Sequence, residues 1–138
     1  LKKNGKIINF EIKYFAMGGK KRVLIVDDSV FTFEQLKSIV EKTGIAEVVG
    51  HAKDGMEGIK KYRDLAPDVV FLDILMPNMD GLQTLRAIMN MDKNAKVVMI
   101  SSLGGAAEKA EESLKFGAKA IISKPFNEKE IKDILEKL

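Results

Sequence analysis

Three aspartates and a lysine stand where apolar runs end. Asp27 and Asp28 follow Val23, Leu24, Ile25 and Val26; Asp73 follows Val69, Val70, Phe71 and Leu72; Lys124 follows Ala120, Ile121, Ile122 and Ser123. If these runs are neighbouring parallel strands, the charged groups gather at one edge of one sheet. Three carboxylates that close repel one another unless a cation lies among them. Hard oxygen ligands of this kind suit Mg²⁺, which keeps part of its water shell. A carboxylate can attack phosphorus once the charge on the transferring group is neutralised, and a lysine supplies a compact positive charge for that purpose. The pattern points to phosphoryl transfer onto an aspartate beside a divalent metal.

The elements that must position these groups alternate along the chain from Arg22 onward. Residues 23–26 read as a strand. Phe31, Leu36, Ile39 and Val40 then recur near helical spacing up to Gly44. Residues 47–51 read as strand two; Asp54 and Gly55 as a turn; Met56, Ile59 and Tyr62 mark a helix stopped by Pro67. Strand three covers 68–73, and Leu82, Leu85, Ile88 and Met89 mark the next helix. Strand four covers 95–100, Gly104 and Gly105 open a helix that ends at Gly117, and strand five covers 119–123. The last helix, 128–138, would bury Ile131, Ile134 and Leu135. This alternation implies an α/β, doubly wound parallel sheet with helices on both faces. Ligands of such sheets bind at the carboxyl ends of the strands, where the charged groups lie.

Composition narrows the function classes. The 138 residues are 46% hydrophobic and 31% charged, a length and balance ordinary for one globular domain. No run approaches a membrane span and no signal peptide is legible. The absence of cysteine and the single histidine, His51, argue against a thiolate or zinc centre. The net charge is +3, but residues 1–22 carry seven basic side chains against Glu11, whereas the rest carries 16 basic and 19 acidic. The domain itself is therefore mildly acidic, which argues against direct nucleic-acid binding.

Residues 1–19 fall outside the βα pattern and are expected to be an N-terminal extension, with 20–138 as the functional domain. Ile8, Phe10, Ile12 and Tyr14 alternate with more polar neighbours, so 6–15 could add an edge strand. The simpler reading is a leader ahead of Met17.

The order of the motifs resembles the receiver domain of two-component response regulators, the CheY-like family. The stretches that carry the resemblance are Val23 through Ser29 with Asp27 and Asp28; Asp73, Ile74, Leu75, Met76, Pro77 with Asp80 and Gly81; Ile100, Ser101, Ser102; and Lys124, Pro125, Phe126. Ala52, Lys53, Asp54, Gly55 and Glu57 match the family's second loop. The resemblance implies a flavodoxin-like sheet of strand order 2-1-3-4-5 in a cytoplasmic protein. It implies Asp73 as phosphoacceptor, and Asp27, Asp28, Asp73 and the Leu75 backbone carbonyl as ligands of Mg²⁺ (Mn²⁺ as the alternative ion). Lys124 and Ser101 would stabilise the phosphoryl group. The implied partners are a histidine kinase as donor and a target protein or linked output domain; neither nucleic acid nor membrane is implied. The face of the fourth helix, fifth strand and fifth helix would meet the target, including Lys109, Phe116, Lys119, Ile121 and residues near Lys129. Such a protein switches partners and is not a turnover enzyme. A stand-alone chemotaxis-type regulator fits best; the alternative is a receiver fragment of a larger regulator with DNA-binding or enzymatic output.

The chain departs from the family pattern in places. Many members carry an aromatic residue where Ile121 stands, so the switch is expected to rest on Ser101 and on Ser102, Leu103, Gly104 and Gly105, with one extra residue between Leu103 and Ala107. Leu75 and Leu103 occupy the positions that tune loss of the phosphoryl group, and two leucines cannot orient an attacking water. Leu75 also argues against a phosphohydrolase of the haloacid dehalogenase type, which resembles Asp-x-Asp and needs an acid there. A phosphate-free binding module is the third class, disfavoured because every expected side chain is present. His51 is read as an exposed strand-end residue, and Met76, Met89, Met91 and Met99 as core filler.

Overall fold

A computed structural model of the protein describes residues 19–102 and 107–138. The expected strand at 6–15 and the expectations for Leu103, Gly104 and Gly105 lie outside the described residues. Five strands, β1 (Lys21–Val26), β2 (Ala46–Ala52), β3 (Val69–Asp73), β4 (Val97–Ser101) and β5 (Ala120–Ser123), alternate with five helices, α1 (Val30–Lys42), α2 (Gly55–Leu65), α3 (Gly81–Met91), α4 (Ala107–Lys115) and α5 (Glu128–Lys137). The strands form one parallel sheet in the order β2-β1-β3-β4-β5, the flavodoxin-like arrangement expected.

The central strands carry unbroken apolar runs, at 23–26, 69–72 and 97–100, because both faces are covered. Leu24, Val26, Leu72 and Met99 pack with Leu85 and Ile88 on one side. Val23, Ile25, Phe71, Ile100 and Ile122 pack with Leu36, Ile131 and Leu135 on the other. Side-chain caps start four of the helices: Ser29, Asp54, Asp80 and Asn127 each accept a backbone N–H of the first turn, as residues of these types commonly do. Asp80 and Gln83 complete a reciprocal capping box.

Several expected core positions are placed differently. Phe31 is 76% exposed; Phe33, two residues on, turns toward the sheet instead. Met56 is also exposed, and glycines take the packed positions of α2. A Cβ on Gly55 would stand 2.2 Å from the Thr84 hydroxyl, and one on Gly58 3.0 Å from a Val26 methyl. The helix therefore approaches α3 and β1 more closely than a hydrophobic side chain permits. Met91 is exposed while Met99 is fully buried. Strand four begins at Val97 rather than at residue 95, because the Ala95 N–H donates to the Asp92 carbonyl in a turn. No helix among the described residues is long and apolar enough to cross a membrane.

Candidate metal and phosphoacceptor site

Register brings the charged residues together. Val26 lies opposite Leu72, so Asp27 and Asp73 leave the sheet side by side. Asp73 pairs with Ile100, and Ser101 with Ser123, which sets Ser101 and Lys124 just beyond that level. The Lys124 N–H donates to the Ser101 carbonyl at 3.0 Å, which ties the two strand ends together. Carboxylate oxygens of Asp27, Asp28 and Asp73 lie within 4.8 Å of one another.

The three acids differ in environment. Asp27 is fully buried and Asp73 is 4% exposed, whereas Asp28 faces solvent. Asp27 Oδ1 accepts the Ser29 N–H at 2.8 Å. Its Oδ2 is buried without a hydrogen-bond partner among the described residues, 3.8 Å from the Lys124 Nζ. Asp73 Oδ1 accepts only a long bond, 3.3 Å, from the Leu75 N–H. Burial pushes the Asp27 carboxyl up, against the Ser29 N–H and Lys124, which favour its ionised form. Burial, then the Asp27 charge, pushes Asp73 up to about 6. One ammonium does not balance this acid cluster.

A divalent ion fits what these residues lack. The orphaned Asp27 oxygen is an open ligand position, and the convergent all-oxygen donor set is that of a hard cation. Neighbouring groups shape the surroundings of these acids. A Cβ on Gly81 would stand 2.1 Å from the Asp73 carbonyl oxygen, so only glycine lets α3 start against the end of β3. Asn78 holds a left-handed φ of 70° in the same loop, a conformation asparagine tolerates better than most residues. Leu75 is 44% exposed. Ser101 is half-buried, and among the described residues its Oγ makes a 3.4 Å contact with the Ser102 carbonyl. Ile121 pairs with Met99 and packs into the core.

Three features were not anticipated. Asp80, read as a motif residue, joins Lys109 of α4 in a 2.7 Å ion pair; burial raises its carboxyl, but Lys109 and the Gln83 N–H bring it below the usual carboxylate range. The Arg86 guanidinium covers the Phe116 ring at 4.5 Å from its centroid, so Phe116 and Lys109 of the expected output face are both engaged within the domain. His51, expected to be exposed, is half-buried and bonded to Asp27. Sequence spacing carries no signal for these contacts, since each joins separate elements.

Comparisons with known proteins bear on the family and the fold. The family model for the response regulator receiver domain matches residues 23–136. The chemotaxis protein CheY of Thermotoga maritima is 44% identical over 118 residues, covering 86% of this chain and 97% of that protein. A protein-glutamate methylesterase/protein-glutamine glutaminase of Pyrococcus horikoshii is 43% identical over 123 residues, 85% of this chain but 33% of that protein. Among solved structures, the CheX-CheY-BeF3-Mg²⁺ complex from Borrelia burgdorferi contains a chain that superposes with a TM-score of 0.77 at 41% identity, covering 85% of this chain and 87% of that one.

Proposed function

The chain belongs to the response regulator receiver family, and on that premise we propose that it is a phosphorylation-dependent switch in which Asp73 takes a phosphoryl group from a histidine kinase. The observation that carries the reading is the convergence of Asp27, Asp28 and Asp73 with Lys124 at one sheet edge. Asp27, Asp28 and Asp73, with the Leu75 carbonyl, would hold Mg²⁺ (or Mn²⁺). When bound, the ion supplies charge neutralisation for the transferring group. Asp73 attacks phosphorus through a carboxylate oxygen; the P–O bond forms as the P–N bond of phosphohistidine breaks, and the imidazole leaves with a proton from solvent. Lys124 pairs with a phosphoryl oxygen, and Ser101 turns its hydroxyl toward another. The product carries roughly two negative charges, which pull Ser101 and its neighbours inward and alter the face of α4, β5 and α5 for a target.

The relatives matched over nearly their whole length are chemotaxis proteins, and their role favours a stand-alone chemotaxis-type regulator here. The match to a third of the Pyrococcus methylesterase supports a second reading, a receiver joined to an output domain. The full open reading frame distinguishes the two. The primary test is incubation with Mg²⁺ and acetyl phosphate or phosphoramidate, followed by intact mass. One added phosphoryl group, absent from Asp73→Asn and from EDTA-treated protein, supports the proposal. No adduct under these conditions refutes it.

A further inference from the structure

His51 occupies a position the proposed chemistry does not use. Strand β2 pairs with β1 through a register shift: Val48 faces Val23, yet Gly50 faces Leu24 and His51 faces Ile25. The extra residue reverses which side later side chains take. It places His51 on the α1 side of the sheet, with Ile25, where regular alternation from Val48 would place it on the α2 side. There the imidazole lies flat on Phe33 of α1, with centroids 3.9 Å apart and planes 7° from parallel. Its Nε2 is 2.8 Å from the backbone oxygen of Asp27. A carbonyl only accepts, so Nε2 carries the proton.

That oxygen belongs to the peptide unit joining Asp27 to Asp28. The Asp27 N–H is held by the Ala52 carbonyl at 2.9 Å, and its carbonyl by His51. Both backbone groups of this residue are therefore clamped from β2, which fixes the backbone from which the Asp27 and Asp28 side chains leave. The His51 carbonyl accepts the Lys61 ammonium at 2.5 Å, which ties the strand end to α2. We propose that His51, backed by Phe33, is a positioning residue that orients the Asp27–Asp28 carboxylate pair for the divalent cation. The inference rests on the metal-binding reading above.

The test uses the full chain stripped with EDTA. Amide shifts of Asp28 and Ser29 are followed by NMR during Mg²⁺ titration of wild type, His51→Phe, His51→Gln and Phe33→Leu. His51→Phe keeps a flat ring on Phe33 but has no N–H. It is expected to weaken Mg²⁺ binding about tenfold, the lower end of what loss of an outer-shell hydrogen bond costs a metal site. His51→Gln retains a donor and recovers part of that loss, and Phe33→Leu gives an intermediate weakening. A purely structural role would lower the urea midpoint in EDTA and leave the affinity of the folded protein unchanged. Equal affinities for wild type and His51→Phe overturn the assignment of His51 alone, whereas no saturation in wild type overturns the metal site and the assignment together. A long-range ¹H–¹⁵N spectrum of metal-free wild type, which needs no variant to fold, should show the Nε2–H tautomer; the Nδ1–H tautomer overturns the proposal.

Discussion

Asp73→Asn should stabilise the metal-free protein while removing the proposed phosphoacceptor. Asp73 is buried beside Asp27, and its carboxyl is pushed up to about 6 from an ordinary 3.8. The folded protein thus holds this proton more tightly than the unfolded chain does. Between these two values the native state binds more protons, so stability falls as pH rises. Over that interval the loss amounts to about 3 kcal/mol at pH 7 and to a small fraction of that at pH 4, where the unfolded chain also holds much of the proton. The attraction of Lys124 is already contained in it, and near-complete burial leaves little solvent screening. Asp73→Asn keeps an oxygen for the Leu75 N–H and removes the charge, so it should recover most of this at pH 7. With a urea slope of roughly 1–3 kcal/mol/M, the midpoint should rise by about 1–3 M. Urea titrations in EDTA at pH 7 and pH 4 measure both values. Saturating Mg²⁺ should shrink the gain at pH 7, because the ion stabilises the ionised wild type. No gain at pH 7, or an equal gain at pH 4, would refute the reasoning.

Other perturbations test separate parts of the domain. Gly81→Ala drives a methyl into the Asp73 carbonyl and Ile74 Cα; a backbone collision of that kind should cost about 3 kcal/mol or more in urea unfolding. Lys109→Met should raise the Asp80 carboxyl toward the ordinary range, read by ¹³C NMR titration, because its ammonium partner is lost; an unmoved titration would show that the ion pair does not persist in solution. Leu75→Asn should speed loss of a phosphoryl group on Asp73, since an amide can orient water where leucine cannot; an equal or longer half-life by time-resolved intact mass would contradict the rate-tuning role expected of this leucine.

Periodicity and motif order were sufficient for the strand-helix alternation, since a run such as Val23, Leu24, Ile25 and Val26 is apolar at every position only when a sheet is covered on both faces. The same runs, read with the residues that end them, singled out Asp27, Asp28, Asp73 and Lys124 as one group. Helical spacing was less decisive. It marked Phe31 and Met56 as core, but the close approach of α2 to its neighbours reserves the packed positions for Gly55 and Gly58, and Phe33 rather than Phe31 meets the sheet. Spacing describes a helix in isolation and not how near its neighbour lies.

What the amino-acid order determined by itself was the set of elements and the chemistry carried at their ends, because both depend on residue type within a few positions along the chain. Only the tertiary structure decided which polar groups at those ends have partners. The one-residue shift in β2 sends His51 toward Asp27 and Phe33; Asp80 meets Lys109 across two helices; and Asp27 keeps a buried oxygen with no donor among the described residues. Each outcome depends on register and on the distance between packed elements, quantities that arise when separate segments dock and that no single segment encodes.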